Sequence, residues 1–331
     1  MNRTSCFARL VGVVLVGSLA GGCQPTGFKI TPIPTDRSLK ERTLLTDGGF
    51  SPPKIALIDV DGMLVNGPKS SLFSEGEHPV SLLLEKLEKA AADDSVKAVV
   101  LRINSPGGTV TASDLMHGEL LRFKEKTDKP VVAVLMDVAA SGGYYIACAC
   151  DEIVAVPTCV TGSIGVIMLT MNVSGTLTKI GVTTDAITSG PNKDAGSPFR
   201  AMKPDERAIF QGIIDEMYEQ FLSVVQAGRP GIEPDKLRGL ADGRVYTARQ
   251  ALNAGLIDRV GTVRDVLSSV KDRLKVDRVR VVTYHRPIAW QPNIYTEHPQ
   301  RPVNVSLMNV SLPRWWTRPG PKFLYLWEPG L

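Results

Sequence analysis

Four short runs of apolar, mostly β-branched residues constrain this chain most: 55–60, 96–103, 131–135 and 153–156. Each is too short to read as a helix, and each is bounded by glycine, proline or aspartate, which marks strands that are buried on both faces. Between them Leu82, Leu83, Leu87 and the pair Ala90 and Ala91 recur at helical spacing, and 110–126 reads as a second helix. Strand and helix in alternation predict an α/β body with largely parallel strands. Further along, 182–187 reads as a strand. A helix starts at Pro204 with Asp205 and Glu206 in its first turn, and its expected buried stripe is Ile209, Ile213, Met217, Phe221 and Val224. It stops at Gly228, and a helix-rich unit follows at 249–274, turning at 255–258.

The ends differ from this body. Arg3 and Arg9 precede an apolar run, 10–20, that closes on Gly21-Gly22-Cys23. A basic start, a short apolar centre and small residues describe an export signal over 1–23, too short for an ordinary membrane span. The small residues before Cys23 resemble a bacterial lipoprotein signal, although Ala20 stands where a large aliphatic residue is usual. Cys23 is therefore the expected lipidation site, and the lipid would hold the protein on a membrane surface. Residues 24–52, rich in proline, threonine, glycine and charge, read as a flexible tether, and 53–285 as the folded body. Residues 286–331 carry all four tryptophans and many prolines, and read as an extension lying on the body, a neighbouring subunit or the membrane.

Composition excludes several function classes. A net charge of +4 with scattered Lys and Arg leaves no nucleic-acid footprint. Outside the signal only Cys148, Cys150 and Cys159 remain, an odd set that suits buried core thiols better than disulfides or a metal. Asp59 and Asp61 form a D-x-D pair without a further acidic partner, so a strand end is the better reading. No cofactor is expected.

Chemistry concentrates in three turns. In Ala139-Ala140-Ser141-Gly142-Gly143-Tyr144-Tyr145, one serine sits where a strand hands over to a helix, and the glycine after it lets its N–H approach a ligand closely. Asn104-Ser105-Pro106-Gly107-Gly108 and Thr161-Gly162-Ser163-Ile164-Gly165 are further glycine turns, and a long polar loop carries Lys193. Acyl transfer by a serine needs a base and donors for an oxyanion. No histidine occurs between His117 and His285, so the usual base is absent near Ser141 in sequence. A lysine can replace it in a dry site, where lowering its pKa from about 10.4 to about 7.5 costs on the order of 4 kcal/mol. Taken singly, the Pro-Gly-Gly is a turn, Lys193 a solvated charge and Ser163 a helix cap.

Together and in order, these motifs resemble the signal peptide peptidase A family, over about residues 54–284, with Lys193 following Ser141 by 52 residues as in its short, single-domain members. The resemblance implies a crotonase-like ββα superhelix, shared with the caseinolytic protease subunit. It implies a serine endopeptidase with a Ser–Lys dyad that degrades cleaved signal peptides or similar apolar peptides at a membrane. Ser141 takes the nucleophile position, Lys193 the general base and Ser163 the residue that orients the lysine. The N–H groups of Gly142 and Gly108 are the oxyanion-hole candidates, with Gly107 not excluded. One copy of each motif implies a homo-oligomeric ring in which one protomer's lysine meets its neighbour's serine. The competing readings are a non-catalytic scaffold of the same fold and an acyl-CoA enzyme of the crotonase superfamily.

Overall fold

The computed structural model describes residues 38–67, 77–286 and 322–327. The export signal and Cys23 lie outside the described residues. Parallel pairing builds the centre of the main sheet: β2 (Lys54–Asp61), β3 (Val96–Ser105), β5 (Val131–Ala140), β6 (Glu152–Ala155) and β10 (Arg259–Val260) lie side by side in that order. On the far side of β2 come β11 (Arg280–His285), parallel to it, and β1 (Lys40–Thr46), antiparallel at the edge. The alternating residues of the central strands split cleanly between two layers. Ala56, Ile58, Val99, Leu101, Ala133 and Leu135 face one core, and Ile55, Leu57, Ala98, Val100, Val132 and Val134 the other. Helices cover both faces, as a parallel sheet requires. The first core takes α1 (Pro79–Ala92), α2 (Val110–Thr127) and α3 (Gly142–Ala147), and the second takes α8 (Val263–Leu274).

Local chemistry sets several element ends. Thr109 caps α2, its side chain accepting from the Ala112 N–H. Asp265, at the third position of α8, accepts from the Thr262 N–H while Thr262 accepts from Asp265 in return. Asp59 forms a buried ion pair with Arg102 at 2.6 Å, which explains its place at the strand end without a metal. Cys148, Cys150 and Cys159 are free and buried, and burial pushes the thiols of Cys148 and Cys159 up to about 12. They are core residues, as expected.

Three local expectations need correction. Lys40–Thr46, inside the stretch read as a tether, is a strand, because its backbone completes the edge of β11 where a polar, exposed sequence is tolerated. Residues 182–187 form no strand, and Val182 and Ile187 are exposed; they lie in an irregular stretch after the short helix α4 (Ser174–Lys179) and pair with no strand among the described residues. The long helix α5 (Pro204–Gly228) buries its expected stripe only at its C-terminal end. Phe221 is fully buried, whereas Ile209 is 44% exposed.

The remaining elements are α6 (Pro234–Leu240), β9 (Val245–Thr247) and α7 (Ala248–Ala254), along with β4 (Gly107–Thr109), β7 (Val160–Gly162), β8 (Ile167–Leu169) and β12 (Lys322–Leu326). No helix among the described residues is long and apolar enough to cross a membrane. Leu101, without exposed surface in β3, tests the central packing: Leu101→Ala is expected to lower stability by about 2–5 kcal/mol in urea denaturation. A loss well below that range would place the main core elsewhere.

Candidate active site

β5 is longer than β6 and uses its two halves differently. Residues 132–135 pair with β6, while Val138, Ala139 and Ala140 pair in parallel with Val160, Thr161 and Gly162 of β7. The Thr161 hydroxyl donates to the Ala139 carbonyl at 2.6 Å, and the Asn104 side-chain oxygen accepts from the Val138 N–H at 3.2 Å. These bonds hold the last turn of β5 from both sides. The chain then bends sharply. Ser141 adopts φ 52° and ψ −115°, with its N–H donating to the Gly162 carbonyl at 2.7 Å. One residue past β7, Ser163 also has positive φ, 50°, and its N–H donates to the Arg244 carbonyl at 2.8 Å. Strands paired in this register place the two serines next to each other. Non-glycine residues in such conformations cost about 1–3 kcal/mol each, so the surrounding hydrogen bonds impose the bend.

Both serines are buried, at 1% and 7% exposure, and the Ser141 Oγ finds no hydrogen-bond partner among the described residues. The Ser141 hydroxyl at this strand-to-helix turn is therefore enclosed rather than exposed. Its neighbourhood is made of backbone brought close by glycines. A Cβ on Gly142 would stand 2.3 Å from the Ser113 Oγ and 3.3 Å from the Gly108 nitrogen, and one on Gly108 would stand 1.9 Å from the Leu64 carbonyl oxygen. Only glycine lets the 104–108 turn and the start of α3 approach this closely. The N–H of Gly107 donates to the Ser105 Oγ at 3.1 Å. The Gly107 carbonyl and the Thr109 N–H bond to Leu64, which turns the Gly108 N–H and carbonyl to the opposite side.

The structure thus brings Ser141, Gly142, Ser163 and Gly108 together. It does not bring Lys193 to Ser141, whose hydroxyl it would have to meet within hydrogen-bond distance. Lys193 is exposed in a series of turns, fixed on its C-terminal side by Arg200. The Arg200 guanidinium binds Asp194 at 2.7 and 2.8 Å and also the buried carboxylate of Glu206 at the start of α5. These bonds hold both carboxyl groups below their ordinary pKa range. His117, distant in sequence, packs edge-on against Tyr145, and burial keeps its imidazole toward the neutral form, but it is not bonded to Ser141. Sequence reasoning missed Ser113 behind Gly142 and the bracing by Asn104; the second was visible as the first residue of the Asn-Ser-Pro-Gly-Gly turn. Among the described residues no group of His, Cys, Asp and Glu could hold a metal ion.

The bend at Ser141 makes a measurable demand. In ordinary backbone an alanine variant is the more stable, by about 0.4–1 kcal/mol, than the glycine variant. At this positive φ the order reverses: Ser141→Gly is expected to be more stable than Ser141→Ala by about 1 kcal/mol in thermal or urea unfolding. The ordinary order would mean that the residue is not strained.

The sequence profile of peptidase family S49 matches residues 123–277, which include the Ser141 bend, the Ser163 turn and Lys193. The chain is 37% identical to "Putative signal peptide peptidase SppA" of Enterococcus faecium over 74% of its own length and 70% of that protein. It is 35% identical to "Serine protease SPPA, chloroplastic" of Arabidopsis thaliana over 77% of its length and 38% of that longer protein. It is also 34% identical to "Protease 4" of Haemophilus influenzae, over 66% of its length and 35% of that protein. The chain belongs to peptidase family S49, the signal peptide peptidase A family of serine-type peptidases.

Proposed function

We propose that this chain is a membrane-associated serine endopeptidase that degrades cleaved signal peptides or similar apolar peptides, with Ser141 as nucleophile and Lys193 as general base. The observation that carries the reading is the unpartnered, buried Ser141 hydroxyl on a strained bend beside the Gly142 and Gly108 backbone. A hydroxyl held without a partner in a dry site is poised for a base and an acyl carbon that are supplied from outside the protomer.

The chemistry follows from these positions. The neutral amine of Lys193 takes the Ser141 proton as Oγ bonds to the peptide carbonyl carbon. The carbonyl oxygen becomes an oxyanion held by the N–H groups of Gly142 and Gly108. The lysine ammonium then gives its proton to the departing amine as the C–N bond breaks, leaving an ester on Ser141. Water, deprotonated by the same lysine, attacks the ester; the proton returns to Ser141 and the acid is released. Ser163 orients the lysine amine: its hydroxyl accepts a hydrogen bond without adding a counter-charge that would hold the ammonium form.

The base comes from a second copy of the chain. Two features support this. Lys193 is exposed and makes no hydrogen bond to Ser141 in its own protomer, and the segment around it exposes Met171, Ile180, Val182, Ile187, Phe199 and Ile209. Apolar side chains gathered on one segment fit a subunit interface better than solvent. A closed ring of such head-to-tail contacts gives every serine a neighbour's lysine. Attachment to the membrane surface is assigned to a lipid on Cys23.

Ser141→Ala and Lys193→Ala are each expected to abolish hydrolysis of a fluorogenic apolar peptide, by about 10³-fold or more, while the protein stays folded. Most activity surviving in either variant would exclude the dyad. Because the base works only when unprotonated, the wild-type rate is expected to rise between about pH 6 and pH 9. A rate independent of pH over that range in single-turnover measurements would contradict a lysine base.

A further inference from the structure

The turn at 104–108 brings two glycines to the start of α3. A Cβ built on Gly142 would stand 3.2 Å from the Gly107 Cα and 3.3 Å from the Gly108 nitrogen, so both glycines border the same space. Which of their N–H groups can serve there is settled behind the turn, at Ser105. Its hydroxyl donates to the Gly62 carbonyl at 2.7 Å and accepts from the Gly107 N–H at 3.1 Å. Ser105 has no exposed surface, and its own carbonyl oxygen lies 2.7 Å from where a Cβ on Gly143 would stand. One hydroxyl is thus wedged between the end of β2, the glycine turn and the first residues of α3. With its proton already given to Gly62 and no path to the surface, it acts through the turn and not on a ligand.

The other bonds in this place are backbone to backbone. The Gly62 N–H donates to the Asn104 carbonyl at 2.9 Å, the Leu64 N–H to the Gly107 carbonyl at 2.8 Å, and the Thr109 N–H to the Leu64 carbonyl at 2.8 Å. These bonds survive any change of side chain; the one from Ser105 does not. Gly107 sits at φ 100° and is followed by another glycine, so little steric resistance opposes rotation of the peptide planes around it. Loss of the Ser105 hydroxyl would leave the buried Gly107 N–H and the Gly62 carbonyl unpaired, a strain that rotation relieves. A rotated Gly107–Gly108 peptide presents a carbonyl oxygen where an oxyanion needs a donor.

We infer that Ser105 is a positioning residue for the proposed acyl transfer. By holding the Gly107 N–H from behind, it fixes the turn with the Gly108 N–H as the donor to the oxyanion. This rests on Ser141 being the nucleophile, and it names the group that selects between the two glycines.

The test uses the full-length enzyme carrying Ser105→Ala, with thermal melting to establish that it is folded. An oxyanion donor acts on the transition state more than on bound substrate. For a fluorogenic apolar peptide kcat is therefore expected to fall about 10- to 100-fold, with KM within about twofold. A peptide aldehyde adds the Ser141 Oγ to its carbonyl carbon, its oxygen becoming the oxyanion as the serine proton passes to the base. Its affinity is expected to fall by the same factor, while the corresponding peptide alcohol, which cannot add, binds both chains equally. An unchanged kcat, or a loss shared by KM, aldehyde and alcohol alike, would overturn the inference. Should Ser105→Ala melt far below the wild type, Ser105→Cys fills the same space with a weaker donor and acceptor. It is expected to lower kcat about five- to tenfold at constant KM, and a wild-type kcat or a raised KM would again overturn the inference. Failure of the peptidase reading appears separately, as a wild-type chain that cuts no peptide and binds the aldehyde no better than the alcohol.

Discussion

Two short parallel strands and one hydrogen bond determine the shape of the site. The pairing of Ala140 with Gly162, closed by the Ser141 N–H on the Gly162 carbonyl, is the last rung of this ladder. Both chains turn just beyond it on a serine in the positive-φ region, where a side chain other than glycine is strained. The strain is tolerated because β5 is anchored elsewhere: its first half is buried between β3 and β6. A rigid parallel sheet thus supplies the free energy that holds two hydroxyls in an unfavourable backbone beside the glycine turn at 104–108. Extending β5 past β6 is the topological step that makes this possible.

Much of this was legible in the sequence because burial on both faces leaves a plain signature. The runs at 55–60, 96–103, 131–135 and 153–156 are strands, and the residues between 110 and 126 are helical, since no other arrangement buries them. The close approach of Gly142 and Gly108 follows from small residues flanking a lone serine. Other elements carried no such mark. The edge strand β1 needs only backbone to pair with β11, so its polar sequence looks like a linker. The apolar residues at 182–187 satisfy a strand pattern but pair with no strand among the described residues, and Ile209 belongs to a helical stripe that extends beyond the core it serves. In both cases periodicity reports an apolar surface without saying what covers it.

The proposed base, Lys193, lies in that same region. Arg200 fastens Asp194 to the buried Glu206 and so gives the loop after Lys193 a defined shape, yet Lys193 is exposed and not bonded to Ser141, and exposed apolar side chains border the loop. A loop ordered by ion pairs and bordered by exposed apolar side chains is suited to meeting another surface. On the other side of the bend, the 104–108 turn is itself braced by β12, whose Tyr325 stands opposite Gly108 and stacks on Tyr145. In the proposed enzyme the serine of one protomer is met across a subunit boundary by the base of the next.

The division of labour between copies can be measured directly. Ser141→Ala and Lys193→Ala chains bearing different tags would be co-expressed and purified through both tags, so that every assembly contains both. If the serine of one protomer uses the lysine of its neighbour, random mixing restores about a quarter of the wild-type sites. Hydrolysis of an apolar peptide at about that level, from two chains that are each inactive alone, is the result the account predicts. Doubly tagged assemblies that remain inactive would contradict it.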